Sequence, residues 1–234
     1  MDFNRDSFIN GELLLINKPI GWTSFQVVNK IRWLIKSSFD IKKIKVGHAG
    51  TLDPLAEGLL ILCTGKLTKK IAEFQSAKKG YSGTFFIGAT TPSFDLETPI
   101  ESKCSIKNIN IEKLNLTSKK FLGKSQQTPP IYSAIKVNGK KLYDYARKGE
   151  SVELKQREIY ISKFKLTNIN LPLVDFEIEC SKGTYIRSIA NDFGKELKVG
   201  SYLHKLIRTS IGDFKLENAI KVEDFEKIIQ KKSE

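Results

Sequence analysis

Histidine, methionine and cysteine are scarce in this chain, at two, one and three residues of 234. With only His48 and His204, and no Cys-x-x-Cys pair, a nitrogen and sulfur ligand set would have to gather from scattered positions, so no metal is expected. Cys63, Cys104 and Cys180 are odd in number and unpatterned in spacing. That argues against a disulfide framework and for the reduced, structural thiols of a cytoplasmic protein. Cys180 closes the alternating stretch Val174–Cys180 with no histidine near it in sequence, so packing outweighs a role as nucleophile. Long apolar runs are missing too. The longest, Leu13–Ile16 and Leu59–Cys63, fall far short of a bilayer span, and the polar first ten residues lack the core of a secretory signal. No membrane association is expected.

Positive charge is abundant instead. Lysine and arginine number 39 against 26 acidic residues, giving a net charge of +13 and an isoelectric point near 9.5. Such an excess suggests a polyanionic partner, with nucleic acid ahead of an anionic membrane. The length and a hydrophobic content of 40% suffice for a core, and one domain spanning 1–234 with an insertion at about 124–152 is expected.

Periodicity gives a coarse map. Glu12–Asn17 reads as a strand, and Thr23 with Gln26 forms a capping box ahead of Val27, Val28, Ile31, Leu34 and Ile35 at helical spacing. Leu67–Lys78 and Ile111–Leu122 read as helices, the second capped by Asn110, and Tyr81–Thr90 as a strand. Gln126–Pro130 looks like a stiff linker into Ile135–Val137 and an Asn138–Gly139 hairpin turn, followed by a short helix at Leu142–Lys148. Glu158–Leu166 and Leu173–Cys180 read as strands, Thr184–Leu197 and Asp224–Gln230 as helices. The sum is an α+β fold with a mixed, mainly antiparallel sheet and flanking helices.

One loop carries chemistry. Gly47-His-Ala-Gly-Thr-Leu-Asp-Pro54 places His48 and Asp53 between glycines and a proline, just before the apolar run at Leu59–Cys63. Glycine frees the backbone and Pro54 fixes it, so a carboxylate there can be aimed from a rigid base. A solvated Asp-Pro turn is the plain alternative. At 124–152, Tyr132, Lys136, Lys140, Lys141, Tyr143 and Arg147 mix rings with cations, a mixture suited to RNA.

This loop resembles, nearly position for position, the active-site loop of the bacterial tRNA pseudouridine-55 synthases. The likeness runs through Leu15-Ile-Asn-Lys18-Pro19, Lys79-Gly-Tyr81 with Asp95 beyond, Pro130–Gly149, and Cys180-Ser-Lys-Gly-Thr-Tyr-Ile-Arg187, in order and over roughly residues 11–216. It implies the pseudouridine synthase fold, no cofactor, and action on the T-arm of tRNA; a monomer is expected, although nothing in the sequence sets the oligomeric state. By the same resemblance Asp53 is the essential carboxylate, Arg187 the guanidinium that keeps it ionised, and Tyr81 the ring against the target base, its hydroxyl available for proton transfer. His48 is implied to hold or replace the extruded nucleotide. Lys182 and Tyr185 would line the pocket, Asp95 organise a nearby loop, and Lys18, Tyr132, Lys136, Arg147 and Arg208 contribute to substrate binding.

Two departures stand out. The family's Leu-Arg-Arg-Thr is Leu206-Ile207-Arg208-Thr209 here, one cation fewer, and too few residues follow Asp213 for the small RNA-binding domain many members carry. A non-catalytic RNA-folding module, or a synthase for another RNA, remains open on sequence alone.

Overall fold

In the computed structural model, which describes residues 3–133, 135–137 and 139–231, the chain divides into two compact units. Residues up to Tyr81 and from Leu206 onward make the first, Ser82–Lys205 the second. The 124–152 excursion lies inside the second.

The first unit opens with α1 (Arg5–Asn10), where Asn4 Oδ1 accepts from Ser7 N at 2.9 Å and Ser7 Oγ accepts from Asn4 N at 3.2 Å. Nothing in the apolar pattern announces this helix, because Phe8 is its one buried residue. Strand β1 (Leu13–Lys18) leads to α2 (Ser24–Ser38), whose expected Thr23–Gln26 capping box is present. Val27, Val28, Ile31, Leu34 and Ile35 are all buried. Strands β2 (Val46–His48) and β3 (Ala56–Thr64) follow, and β1 and β2 both pair antiparallel with β3.

The run Leu59–Cys63 is apolar throughout because β3 is covered on both faces. Leu60 and Leu62 join a core with Leu14, Ile16, Ile31 and Ile35, while Leu59, Ile61 and Cys63 join another with Ala49 and Ile211. Burial pushes the Cys63 thiol up to about 11, as suits an inert packing residue.

The expected helix over 67–78 is instead a 3₁₀ segment at Gly65–Lys70 and a short α3 (Ile71–Ser76). The tighter turn starts at Gly65, whose φ is +48° and whose missing Cβ would lie 2.0 Å from the Ile9 carbonyl oxygen; Thr68 Oγ1 donates back to Gly65 O at 2.8 Å. Leu67, Ile71 and Phe74 still pack on the core, as their spacing requires. Strand β4 (Lys79–Ile87) then carries the chain into the second unit.

There, Gly88 at φ +94° ends β4, so the expected single strand to Thr90 becomes β4 and β5 (Ala89–Thr90), the latter paired with β6 (Ser102–Lys103). Asn110 caps α4 (Ile111–Lys119), its Oδ1 accepting from Lys113 N at 2.8 Å. The expected linker is partly strand: β7 (Gly123–Gln127) pairs with β10 (Arg157–Asn170), with Gln127 opposite Arg157. Between them lie β8 (Lys136–Val137), β9 (Lys140–Lys141) and α5 (Leu142–Lys148). Asn138 of the expected hairpin turn is outside the described residues. Strand β11 (Leu173–Cys180) forms a long hairpin with β10, and α6 (Ile186–Leu197) buries Ile186, Ile189, Ala190 and Phe193 as expected. An aromatic cluster of Phe85, Phe121, Phe164, Phe176 and Phe193 centres this core, with the Phe85 and Phe176 rings 4.2 Å apart.

Strand β12 (Ser201–Ile211) returns the chain to the first unit, where it runs parallel to β3 with Arg208 opposite Gly58. Then β13 (Phe214–Lys215), β14 (Ile220–Lys221) and α7 (Val222–Gln230) close the unit, β14 lying parallel to β1 and Phe225 and Ile229 entering the α2 core. The architecture is thus α+β with mixed, mainly antiparallel pairing. No described helix is long and apolar enough to cross a membrane.

Candidate active site

Asp53 sits in the loop between β2 and β3, and that loop is held by atoms from three distant stretches of the first unit. Ser24, the first residue of α2, accepts from Leu52 N at 2.8 Å and donates to Leu52 O at 3.1 Å, closing a reciprocal pair on the residue before the carboxylate. Lys18, at the end of β1, is fully buried and donates to the carbonyls of Pro19, Trp22 and, at 3.4 Å, Pro54. Arg208, from β12, is 1% exposed. Its Nε donates to Leu59 O at 2.7 Å, Nη2 to Gly50 O at 3.0 Å and Nη1 to Thr51 O at 3.4 Å. Backbone closure adds Ala56 N to Asp53 O at 3.1 Å and Gly21 N to Pro54 O at 2.8 Å.

These bonds explain both the glycines and the cations. Gly58 has φ +109°, and a Cβ there would lie 2.5 Å from Arg208 O, so only glycine lets β12 run this close to β3. A guanidinium can bind three carbonyls in fixed directions, a task its planar fork suits better than an ammonium. Arg208 is also hydrogen-bonded to the Tyr81 side chain and attracted by Asp53; burial lowers its pKa and these two neighbours oppose the shift. Burial likewise lowers Lys18, to about 8, against the pull of Asp53. His48 is held below the usual imidazole range by burial first and by the Arg208 charge second, against a hydrogen bond to the Gly50 backbone that opposes the shift. With its pKa lowered, the ring favours the neutral form near pH 7.

Lys18 and Arg208, expected among the substrate contacts, are buried here and donate to main-chain carbonyls around the Asp53 loop, Arg208 bonding the Tyr81 side chain as well. The cation lost relative to the family pattern is at half-buried Ile207, and the retained one reaches the loop.

In the second unit, Arg187 is 3% exposed on α6. Its Nε lies 3.5 Å from Asp95 Oδ2, and Nη1 donates to Ser93 O at 3.2 Å. Asp95 in turn accepts from Glu97 N at 2.9 Å and its carbonyl accepts from Thr91 Oγ1, so the carboxylate shapes the 91–98 turn as well as holding the guanidinium. Tyr185 precedes α6 with its ring 5.4 Å from the Arg157 guanidinium, and Lys182 is exposed.

Sequence reading missed what positions Tyr185. Gln127, at the end of β7 and 2% exposed, donates from Nε2 to Tyr185 O at 3.0 Å and accepts at Oε1 from Tyr185 N at 2.8 Å. Ser188 Oγ donates to Thr128 O at 2.8 Å one step on. A glutamine in a polar pentapeptide carries no periodic signal, and only its burial reveals the clamp.

In the excursion, Arg147 and Lys141 flank the Tyr143 ring at 5.3 and 5.1 Å, Lys140 lies 5.9 Å from the Tyr145 ring, and Tyr132 is half-buried. The Lys136 side chain is outside the described residues.

A model of the TruB family pseudouridylate synthases (N-terminal domain) matches residues 36–186. The chain is 53% identical over 226 residues to tRNA pseudouridine synthase B of Flavobacterium johnsoniae, covering 96% of this chain and 99% of that one. To the protein of the same name from Phocaeicola vulgatus it is 51% identical, covering 94% and 93%. The crystal structure of a Cbf5–Nop10–Gar1 complex contains a chain that superposes with a TM-score of 0.72 at 25% identity, covering 96% of this chain and 56% of that one, so this chain spans little more than half its length. With more than half of its residues matched by the family model and near-complete alignment to the relatives, the chain belongs to the TruB family of pseudouridylate synthases.

Proposed function

We propose that this isomerase converts uridine to pseudouridine in tRNA, at position 55 of the T-loop. The observation that carries the reading is the mounting of Asp53, a carboxylate whose loop is fixed by Ser24, Lys18 and Arg208, the last of which is also hydrogen-bonded to Tyr81. The tRNA substrate is supported by the names of relatives about half identical over nearly their whole length.

The reaction breaks the bond from C1′ of the ribose to N1 of uracil, turns the base, joins C1′ to C5, and moves a proton from C5 to solvent while N1 gains one. No net redox change occurs. Asp53 supplies the anion, and its ionisation in a dehydrated cleft requires nearby positive charge, which Arg208 provides within the first unit and Arg187 provides by the family motif. Tyr81 sets the base plane and offers a hydroxyl for proton transfer at the sugar. The target uridine is extruded from the T-loop at a cost of a few kcal/mol, with neutral His48 as the wedge. Lys182, Tyr185 and the excursion with Tyr132, Lys136 and Arg147 hold the RNA.

Asp53→Asn removes the anion and keeps size and polarity. Under single-turnover conditions the variant is expected to form no pseudouridine in T-arm RNA while its Kd stays within about threefold of wild type, less than 0.7 kcal/mol. Appreciable product would remove Asp53 from the chemistry; normal tRNA remodelling by an inactive variant would point to a folding role beside the catalytic one.

A further inference from the structure

A second concentration of charge lies in the first unit, beside the start of the loop that carries Asp53. The C-terminal half of α2, residues 42–45 and β2 border an open groove of about 480 Å³, lined by Arg32, Lys36, Lys42, Lys43, Lys45 and Thr68. The alternation that builds it is plain in the chain. Ile41 and Ile44 are buried, at 4% and 8% exposed, and anchor the segment in the α2 core, so Lys42, Lys43 and Lys45 stand outward from a fixed backbone. Arg32 is tied at the rim, Nη2 donating to Val46 O at 3.0 Å and Nη1 to Asn29 Oδ1 at 2.9 Å.

Among the described residues these five cations have no carboxylate within ion-pair distance to neutralise them, whereas Lys30, on the same helix, pairs with Glu226 at 2.8 Å. Five like charges around one groove repel each other, and a ligand that brings negative charge relieves that repulsion. The four lysines are exposed and spread along the groove, with no buried polar cradle of the kind that encloses a single small anion. Such a spread fits a chain of phosphodiesters. Gly47, which also borders the groove, is joined directly to His48, so a bound backbone would lead toward the catalytic loop.

We propose that this groove is a phosphate-backbone binding site for the RNA substrate, additional to the excursion at 132–147. The proposal rests on the reading of the substrate as tRNA. The contacts are sequence-independent: ammonium groups meet phosphate oxygens, position the RNA and release counterions, and they take no part in the bond changes at C1′.

The test compares wild type with a variant carrying Lys36→Ala, Lys42→Ala, Lys43→Ala and Lys45→Ala, and with a charge-matched control carrying Lys103→Ala, Lys107→Ala, Lys113→Ala and Lys119→Ala on exposed positions of the second unit. Binding of a labelled T-arm hairpin and of full tRNA is measured at several salt concentrations, and single-turnover pseudouridine formation at saturating RNA. The groove variant is expected to bind about tenfold or more weaker at low salt, with a salt slope shallower by about 2 to 4, while its saturated single-turnover rate stays within about twofold of wild type. The control should keep wild-type affinity within about twofold. Equal losses in the two variants would overturn the proposal, since net charge alone would then account for them. Wild type that binds through the groove yet makes no pseudouridine would overturn the assigned reaction and leave the groove standing.

Discussion

Lys18 and Arg208 brace the same loop, and alkali separates them. Burial lowers Arg208, but from the much higher guanidinium range and against Tyr81 and Asp53, which oppose the shift. Burial lowers Lys18 to about 8 from an ordinary 10.5. Between those values the unfolded chain holds a proton at this position that the folded chain has released, so folding stability contributed here rises with pH across that window; below pH 8 the penalty of the buried charge is fully present. Compared with Lys18→Met, wild type should gain about 2 kcal/mol between pH 7.5 and 10 in denaturant unfolding. A constant difference across that range would mean that Lys18 is not titrating there. Both cations stand next to recognisable motifs, yet their burial was not legible in the sequence. Their partners are main-chain carbonyls of residues 19, 22, 50, 51, 54 and 59, and a backbone acceptor carries no residue identity. The loop of Asp53 and His48 was legible as a shaped turn, because glycines and a proline at fixed spacing constrain its backbone, whereas the roles of the two side chains came only with the family resemblance.

Elements were legible where a cap or an unbroken period named them. The Thr23–Gln26 box set the start of α2 correctly, and Asn110 that of α4. Strand β12 was missed because its burial does not alternate: Ser201, Tyr202 and Leu203 are buried in a row, while His204 and Lys205 are exposed. Strand β7 was missed because it is polar, with Gln127 alone turned inward for a purpose other than packing. That purpose is testable. Gln127→Leu keeps the volume and leaves the N–H and C=O of Tyr185 without their side-chain partners, which should cost about 2 kcal/mol in stability. If the clamp also positions the start of α6, kcat should fall and Kd for RNA should hold; Gln127→Glu, which retains an acceptor for Tyr185 N, should recover part of the loss. Unfolding curves with saturation kinetics separate the two effects, and a variant matching wild type in both would reduce Gln127 to a filler.

At the scale of the molecule, the excursion at 132–147 is closed largely on itself, with Leu142 N donating to Ile135 O at 2.8 Å and Tyr143 N to Ser133 O at 3.1 Å. Replacing Tyr132–Arg147 by a short glycine and serine link should therefore lower the melting temperature by only a few degrees while weakening RNA binding about tenfold or more. A collapse in stability comparable to the loss of affinity would show that the segment belongs to the core. The +13 charge foretold a polyanion but not its track, since the lysines that line the groove and those of solvated faces look alike until neighbouring carboxylates are placed. The first unit is assembled from both ends of the described chain, and this has a consequence for its synthesis. A ribosome releases residues 3 to 81 long before Arg208, Ile211, Val222 and Phe225, so the loop that mounts Asp53 emerges without its guanidinium brace and its core without a wall. The middle segment, Ser82–Lys205, is complete first. The loop that mounts Asp53 acquires its brace only when Arg208 of β12 arrives, so truncation ahead of Arg208 leaves that loop without its guanidinium.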